Sequence, residues 1–174
     1  GLVEQRGQGG RHRIRSQPEL VGAAVAQHRR QSSDMVGVRV GEGYGVQARL
    51  MLPRIAALGH DVAMCAWYGL EGGMLNYAME HQGKTYPIML YPKGRDGYGN
   101  DVVGMHAQHF RADIVISLID AWVLDPSAHS PKGIRFCPYF PVDMEPLPPP
   151  VLRVVEQAFQ PIVYSRFGER MCQD

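Results

Sequence analysis

The residues with the most chemical content stand just after short apolar runs. Gly41-Glu-Gly43-Tyr-Gly45-Val-Gln-Ala48 places three glycines within five residues, directly ahead of a helical pattern. Glycine lets a ligand approach the backbone, and a helix start offers free N–H groups with partial positive charge. A phosphate or a sugar hydroxyl would fit there; a tight strand-to-helix turn would need the same glycines with no ligand. Asp120 and Trp122 follow another apolar run. Their carboxylate and indole would suit a polyol, the acid accepting hydroxyl protons and the ring covering an apolar sugar face. Alternatively, Asp120 caps the next turn and Trp122 belongs to the core. Asp143 ends Tyr139-Phe-Pro-Val-Asp143, a segment that its proline keeps extended. Ser165 and Arg166 follow the last run. Ser165 occupies an N-cap position, and Arg166 would pair with an anionic ligand or a surface carboxylate.

Several other chemistries find less support. Gly43-x-Gly45-x-x-Ala48 matches a dinucleotide fingerprint, which needs an acid about 20 residues on to hold the ribose. Glu71 comes too late for that role, so NAD is disfavoured. His106 and His109 share a predicted helix, but no third ligand lies at metal-site spacing, and a structural or solvent role is the simpler reading. No bound metal or cofactor is therefore expected. There is no G-x-S-x-G elbow for hydrolase chemistry. Cys65, Cys137 and Cys172 are far apart and read as reduced thiols, which points to a cytoplasmic protein.

The elements that must position these residues are legible as an alternation. Apolar runs at 36–40, 61–66, 85–90, 112–118, 134–139 and 161–164 recur about every 25 residues and predict six strands. The run at 112–118 is nearly continuous and β-branched, as a strand covered on both faces should be. Helical spacing is found at 46–58, 101–110 and 151–159. The first of these places Val46, Leu50 and Ile55 near one stripe, ends at Gly59 and contains Pro53, which should bend it or cost about 3 kcal/mol. Strand, helix, strand repeated in this way predicts βαβ units. The expected fold is α/β: a doubly wound, mostly parallel Rossmann-like sheet with helices on both faces and ligands at the carboxyl ends of its strands.

Bulk properties agree with one ordinary α/β domain. The chain has 174 residues, 45% hydrophobic and 20% charged, with a formal net charge of +1. That balance gives no bulk reason for a nucleic-acid or anionic-membrane partner, and no run reaches the roughly 20 apolar residues of a transmembrane helix. Residues 1–34 differ from the rest: six arginines against three acids, with one apolar stretch at 20–26 that is too short and too late for a signal-peptide core. This segment reads as a solvated or non-native extension, with an arm for nucleic acid or anionic lipid as the alternative. The folded domain is then expected over 35–174.

Taken in order, these motifs resemble the N-terminal half of family 4 GT-B glycosyltransferases. Gly43-Tyr-Gly45-Val-Gln leads through Leu52-Pro-Arg-Ile-Ala-Ala-Leu-Gly-His60-Asp-Val to Ala112-Asp-Ile-Val-Ile-Ser, Asp120-Ala-Trp122, Pro141-Val-Asp143 and Tyr164-Ser-Arg-Phe-Gly168. Glu42 departs from the pattern, standing where a small hydroxyl residue is more usual. The resemblance implies that the full enzyme moves a hexose from a nucleotide diphosphate sugar to an acceptor hydroxyl, with retention and without a metal. It assigns the glycine loop Gly43, Tyr44 and Gly45 to the donor phosphates and acceptor. Asp120 and Asp143 become catalytic or orienting carboxylates, and Trp122, Ser165 and Arg166 become substrate contacts. It also implies a second, donor-binding domain as partner, not contained in these residues. Two rival readings are a non-catalytic interaction or assembly domain and a different α/β nucleotide-binding enzyme.

Overall fold

A computed structural model describes residues 22–27, 38–40, 45–66 and 70–173. In chain order the strands are β1 (Gly22–Gln27), β2 (Val38–Val40), β3 (Asp61–Ala66), β4 (Leu75–His81), β5 (Lys84–Tyr91), β6 (Ile114–Leu118), β7 (Arg135–Phe140) and β8 (Ile162–Val163). The helices are α1 (Gly45–Ala57), α2 (Val103–Phe110), α3 (Pro126–His129), α4 (Pro149–Gln157) and α5 (Arg166–Met171). Together the strands build one sheet in the order β4-β5-β3-β1-β6-β7-β8, with β2 paired to β6 off that path.

The six strands predicted from the sequence all run in one direction. β3 pairs in parallel with β5, β6 with β7, β7 with β8, and β2 with β6. Two further strands run the opposite way and make the sheet mixed, where a mostly parallel one was expected. β4 is antiparallel to β5, and β1 is antiparallel to both β3 and β6. Ile116 stands opposite Cys137 of β7 on one side, while Ala24 of β1 and Val38 of β2 both register on it. A strand has two edges, so β1 and β2 meet β6 along the same one.

Alternation along the strands divides the core into two layers. Ala63 and Cys65 of β3 and Val115 of β6 pack with Val103, Ala107 and Phe110 of α2 and Val154 of α4. Val62 and Met64 of β3 and Ile116 and Leu118 of β6 pack on the other face with Ala48 and Leu52 of α1. Helices thus cover both faces. Ser117 is fully buried, and its Oγ has no hydrogen-bond partner among the described residues.

One expectation needs correction, and two strands were not expected. Val46 and Leu50 were placed on the core stripe of α1, yet they are 68% and 53% exposed. The buried stripe is Ala48 and Leu52, with Met51, Ile55 and Ala56 packed against it, because a small residue at 48 lets the helix approach the sheet closely. Pro53 lies inside α1 as expected, and the Arg54 guanidinium donates to the Leu50 carbonyl one turn back. Within the segment read as an extension, Gly22–Gln27 forms β1; the stretch too short for a signal peptide is long enough for a strand. β4 had no counterpart in the sequence reading. It forms a hairpin with β5 in which His81 pairs with Lys84 across Gln82 and Gly83, both left-handed with φ of 51° and 73°. That is the two-residue turn whose twist matches the strands.

Gly83→Ala should therefore destabilise the protein by about 1 kcal/mol, since a Cβ at this φ is strained even in open space. Gly73→Ala, with no such backbone and nothing within 4 Å, should be close to neutral. Urea unfolding of the two variants measures the difference.

Candidate functional site at the carboxyl ends of the strands

The loop after β5 is held by its own side chains. Asp101 Oδ2 accepts from the backbone N–H groups of Arg95 (2.7 Å) and Asp96 (3.2 Å), and Asp96 Oδ2 accepts from Asn100 N at 2.7 Å. Gly94 makes this possible, because a Cβ there would lie 2.2 Å from Asp101 Oδ1. The loop in turn grips the segment after β6. Asn100 Nδ2 donates to the Val123 carbonyl at 3.1 Å, and Asn100 Oδ1 accepts from Asp125 N at 3.0 Å. One amide side chain thus ties two loops that emerge from different strands.

Downstream, Asp125 caps α3. Its Oδ1 accepts from Ser127 N at 3.0 Å and Ser127 Oγ at 2.7 Å, and these bonds hold its carboxyl below the usual range. His129 is fully buried; its Nδ1 donates to the Asp125 carbonyl at 2.9 Å and its ring packs on Phe136 at 4.9 Å. Gly104 of α2 allows the α3 backbone to come close, since a Cβ would lie 2.7 Å from the Ala128 carbonyl. Asp120, read as a possible cap, makes no side-chain cap bond to the 3-10 turn Ala121–Val123. Trp122, read as a possible core residue, is 58% exposed, with its ring 6.3 Å from that of Tyr98 in a T-shaped contact.

The remaining predicted residues fall in separate places. Gly43 and Tyr44 lie outside the described residues, and Gly45 is the first residue of α1. Asp143 is exposed just past β7. Ser165 is the N-cap of α5, accepting from Gly168 N at 3.1 Å, so its hydroxyl oxygen is already engaged. Gly168 itself is buried between Val142 and Val163, whose Cβ atoms would each lie 3.1 Å from an added Cβ. Ser165 and Arg166 line a cleft of about 560 Å³ beside β8, together with Tyr164, Glu169 and Cys172. Trp122 lines a different groove of about 450 Å³, with Asn100, Asp125, Ser127, Arg153 and Gln157. Asp120 and Asp143 line neither. The described ones among the predicted residues stand along the carboxyl-end rim of adjacent strands, with Trp122 in one groove and Ser165 and Arg166 in another.

Other groups singled out by the sequence have local partners. Glu71, the acid too late for a ribose, pairs with Lys93 at 2.6 Å, and the ammonium holds its carboxyl below the usual range. His106 Nε2 donates to the Pro92 carbonyl at 3.1 Å, and burial favours its neutral form. His109 Nδ1 is hydrogen-bonded to Tyr91 Oη at 2.8 Å, and burial pushes the Tyr91 phenol up. Among the described residues no group of three His, Cys, Asp or Glu side chains is placed to hold a metal, and no helix is long and apolar enough to cross a membrane. Sequence reasoning missed Asn100 and Asp125, although Asp125-Pro-Ser carries the ordinary signal of a helix start.

No family model matches this chain, and neither the curated proteins nor the solved structures contain a match to it.

Asn100→Ala should cost about 1–3 kcal/mol, because it deletes two bonds that join the loops after β5 and β6. Ser127→Ala, which removes one exposed bond to Asp125, should cost less than half of that. Thermal and urea unfolding on the two variants checks the ranking.

Proposed function

We propose that the chain is the acceptor-side half of a GT-B glycosyltransferase, built on a doubly wound Rossmann-like sheet. The observation that carries the reading is strand order. The six co-directional strands, numbered as the sequence predicts them, lie as 3-2 on one side of β1 and 4-5-6 on the other, with strand 1 (β2) paired to strand 4 (β6). Doubly wound nucleotide-binding sheets use the order 3-2-1-4-5-6 and bind ligands where it reverses. Val40, the last residue of β2, is opposite Leu118, two residues before Asp120. The carboxyl end of β2 therefore stands beside the Asp120 turn.

In this reading the start of α1 meets donor phosphate with backbone N–H groups and partial positive charge, stabilising the leaving group. Asp120 orients an acceptor hydroxyl, with Asp143 one strand further along the rim. Trp122 holds the acceptor, while Ser165 and Arg166 contribute to the cleft beside β8. The nucleotide itself falls to a second domain, so this chain binds weakly and does not turn over alone. A cytoplasmic location fits a nucleotide sugar as substrate.

A second reading, a non-catalytic assembly domain, is favoured by one observation. β1 stands between β3 and β6, the place that the doubly wound order gives to the strand carrying the glycine loop.

Thermal shift with UDP-, GDP- and ADP-hexoses separates the two, with NAD as control. The transferase reading expects a small stabilisation at millimolar concentration by one of the nucleotide sugars and none by NAD. It also expects Gly45→Val to abolish that stabilisation without lowering the melting temperature of the free protein. Absence of any nucleotide-sugar effect, or an undiminished one in Gly45→Val, contradicts it.

A further inference from the structure

The lining of the groove at Trp122 includes neither Asp120 nor Asp143, and two differently built elements wall it. One wall is the turn from Trp122 to Ser127, and the other is α4, which contributes Arg153 and Gln157. Its volume of about 450 Å³ falls within the roughly 300–1,000 Å³ of ordinary ligand sites. Within it, Asn100, Ser127 and Asp125 Oδ1 are engaged in holding the turn. That leaves the Trp122 indole, the Arg153 guanidinium, the Gln157 amide and the second carboxylate oxygen of the exposed Asp125 as the groups that face a ligand.

Each wall limits the ligand. An indole left 58% exposed offers a flat apolar face with one N–H donor at its edge. A guanidinium presents a planar fork of donors, and an amide both donates and accepts. Vicinal ring hydroxyls satisfy both groups at once, and the C–H face of a pyranose satisfies the indole. A lipid tail would leave the polar wall unpaired and desolvated. A nucleotide would need a second cation or a backbone cradle, and the lining supplies one arginine. The turn is also fixed before anything binds: Asn100 clamps Val123 and Asp125, Asp125 caps α3, and Tyr98 abuts the indole edge-on. A wall so held loses little entropy on binding.

We propose that this groove binds an oligosaccharide, with a pyranose ring laid on Trp122 and its hydroxyls held by Arg153 and Gln157. It makes the acceptor a glycan chain held away from the reacting hydroxyl; that acceptor role rests on the transferase reading, whereas glycan binding does not.

The test is titration of the uniformly ¹⁵N-labelled chain with maltotriose, cellotriose and α-mannotriose, following the two tryptophan indole resonances. Trp122→Phe assigns the signal. At least one trisaccharide should shift the Trp122 resonance with saturation at millimolar concentration. Followed through the backbone amides of the same labelled chain, Trp122→Ala should weaken that binding roughly tenfold or more, and Arg153→Ala should weaken it by a smaller factor. Both side chains are exposed, so the variants should fold, and their melting temperatures verify this. No shift with any of the three sugars overturns the proposal, as does affinity unchanged in Trp122→Ala. A stronger Trp122 shift with octyl phosphate than with any trisaccharide overturns it too, in favour of a lipid. Trisaccharide binding without any nucleotide-sugar effect leaves the groove standing and the transferase reading fallen; the reverse separates them the other way.

Discussion

Val115 and Leu118 are fully buried and point to opposite faces of the sheet, so β6 is stable only between two helical layers. Its backbone imposes a second demand, that both edges be paired, since an unpaired N–H or C=O at this depth costs about 1–3 kcal/mol. β7 meets one edge and β1 with β2 the other. From these two demands follow the two core layers and the placement of α1 opposite α2 and α4. The carboxyl end of β6 then fixes where Asp120 and Trp122 can be.

Between that rigid strand and the surface groups stands a short relay of polar bonds. Gly94 gives Asp101 room, Asp101 and Asp96 order the loop to Asn100, and Asn100 grips the turn that carries Trp122. Loops are where such sites are usually carried, provided a scaffold positions them. Here the scaffold reaches the loop through one amide. Close packing serves the same end elsewhere, with Gly104 admitting the α3 backbone and Gly168 seating α5 against Val142 and Val163.

The strands that pack on both faces were legible because continuous apolar runs leave few other readings. The positions at 61–66 and 134–139 match β3 and β7 to within a residue. The hairpin was legible too and went unread: Leu75, Tyr77 and Met79 alternate ahead of Gln82-Gly83, a period-2 signal with its turn. β1 was not legible, since Gly22-Ala-Ala-Val-Ala-Gln27 has weak strand propensity and lies among arginines. In α1 the apolar residues Val46 and Leu50 suggested the wrong phase, because close approach to the sheet selected the small Ala48 instead. The rim residues could be named from sequence because topology alone puts strand ends together. Their division between two pockets could not, because loop conformation depends on side-chain bonds such as those of Asn100. The glycine loop at 41–44 falls outside the described residues.

The dependence of the fold on β6 is measured most directly by native-state amide hydrogen exchange. The account predicts that the Ile116 and Leu118 amides exchange only through global unfolding, with the highest protection in the chain and the full denaturant dependence. Amides of β4 and β8, at the two ends of the sheet, should exchange through smaller openings. Exchange of Ile116 and Leu118 as fast as that of β4, with no dependence on global stability, would contradict the account.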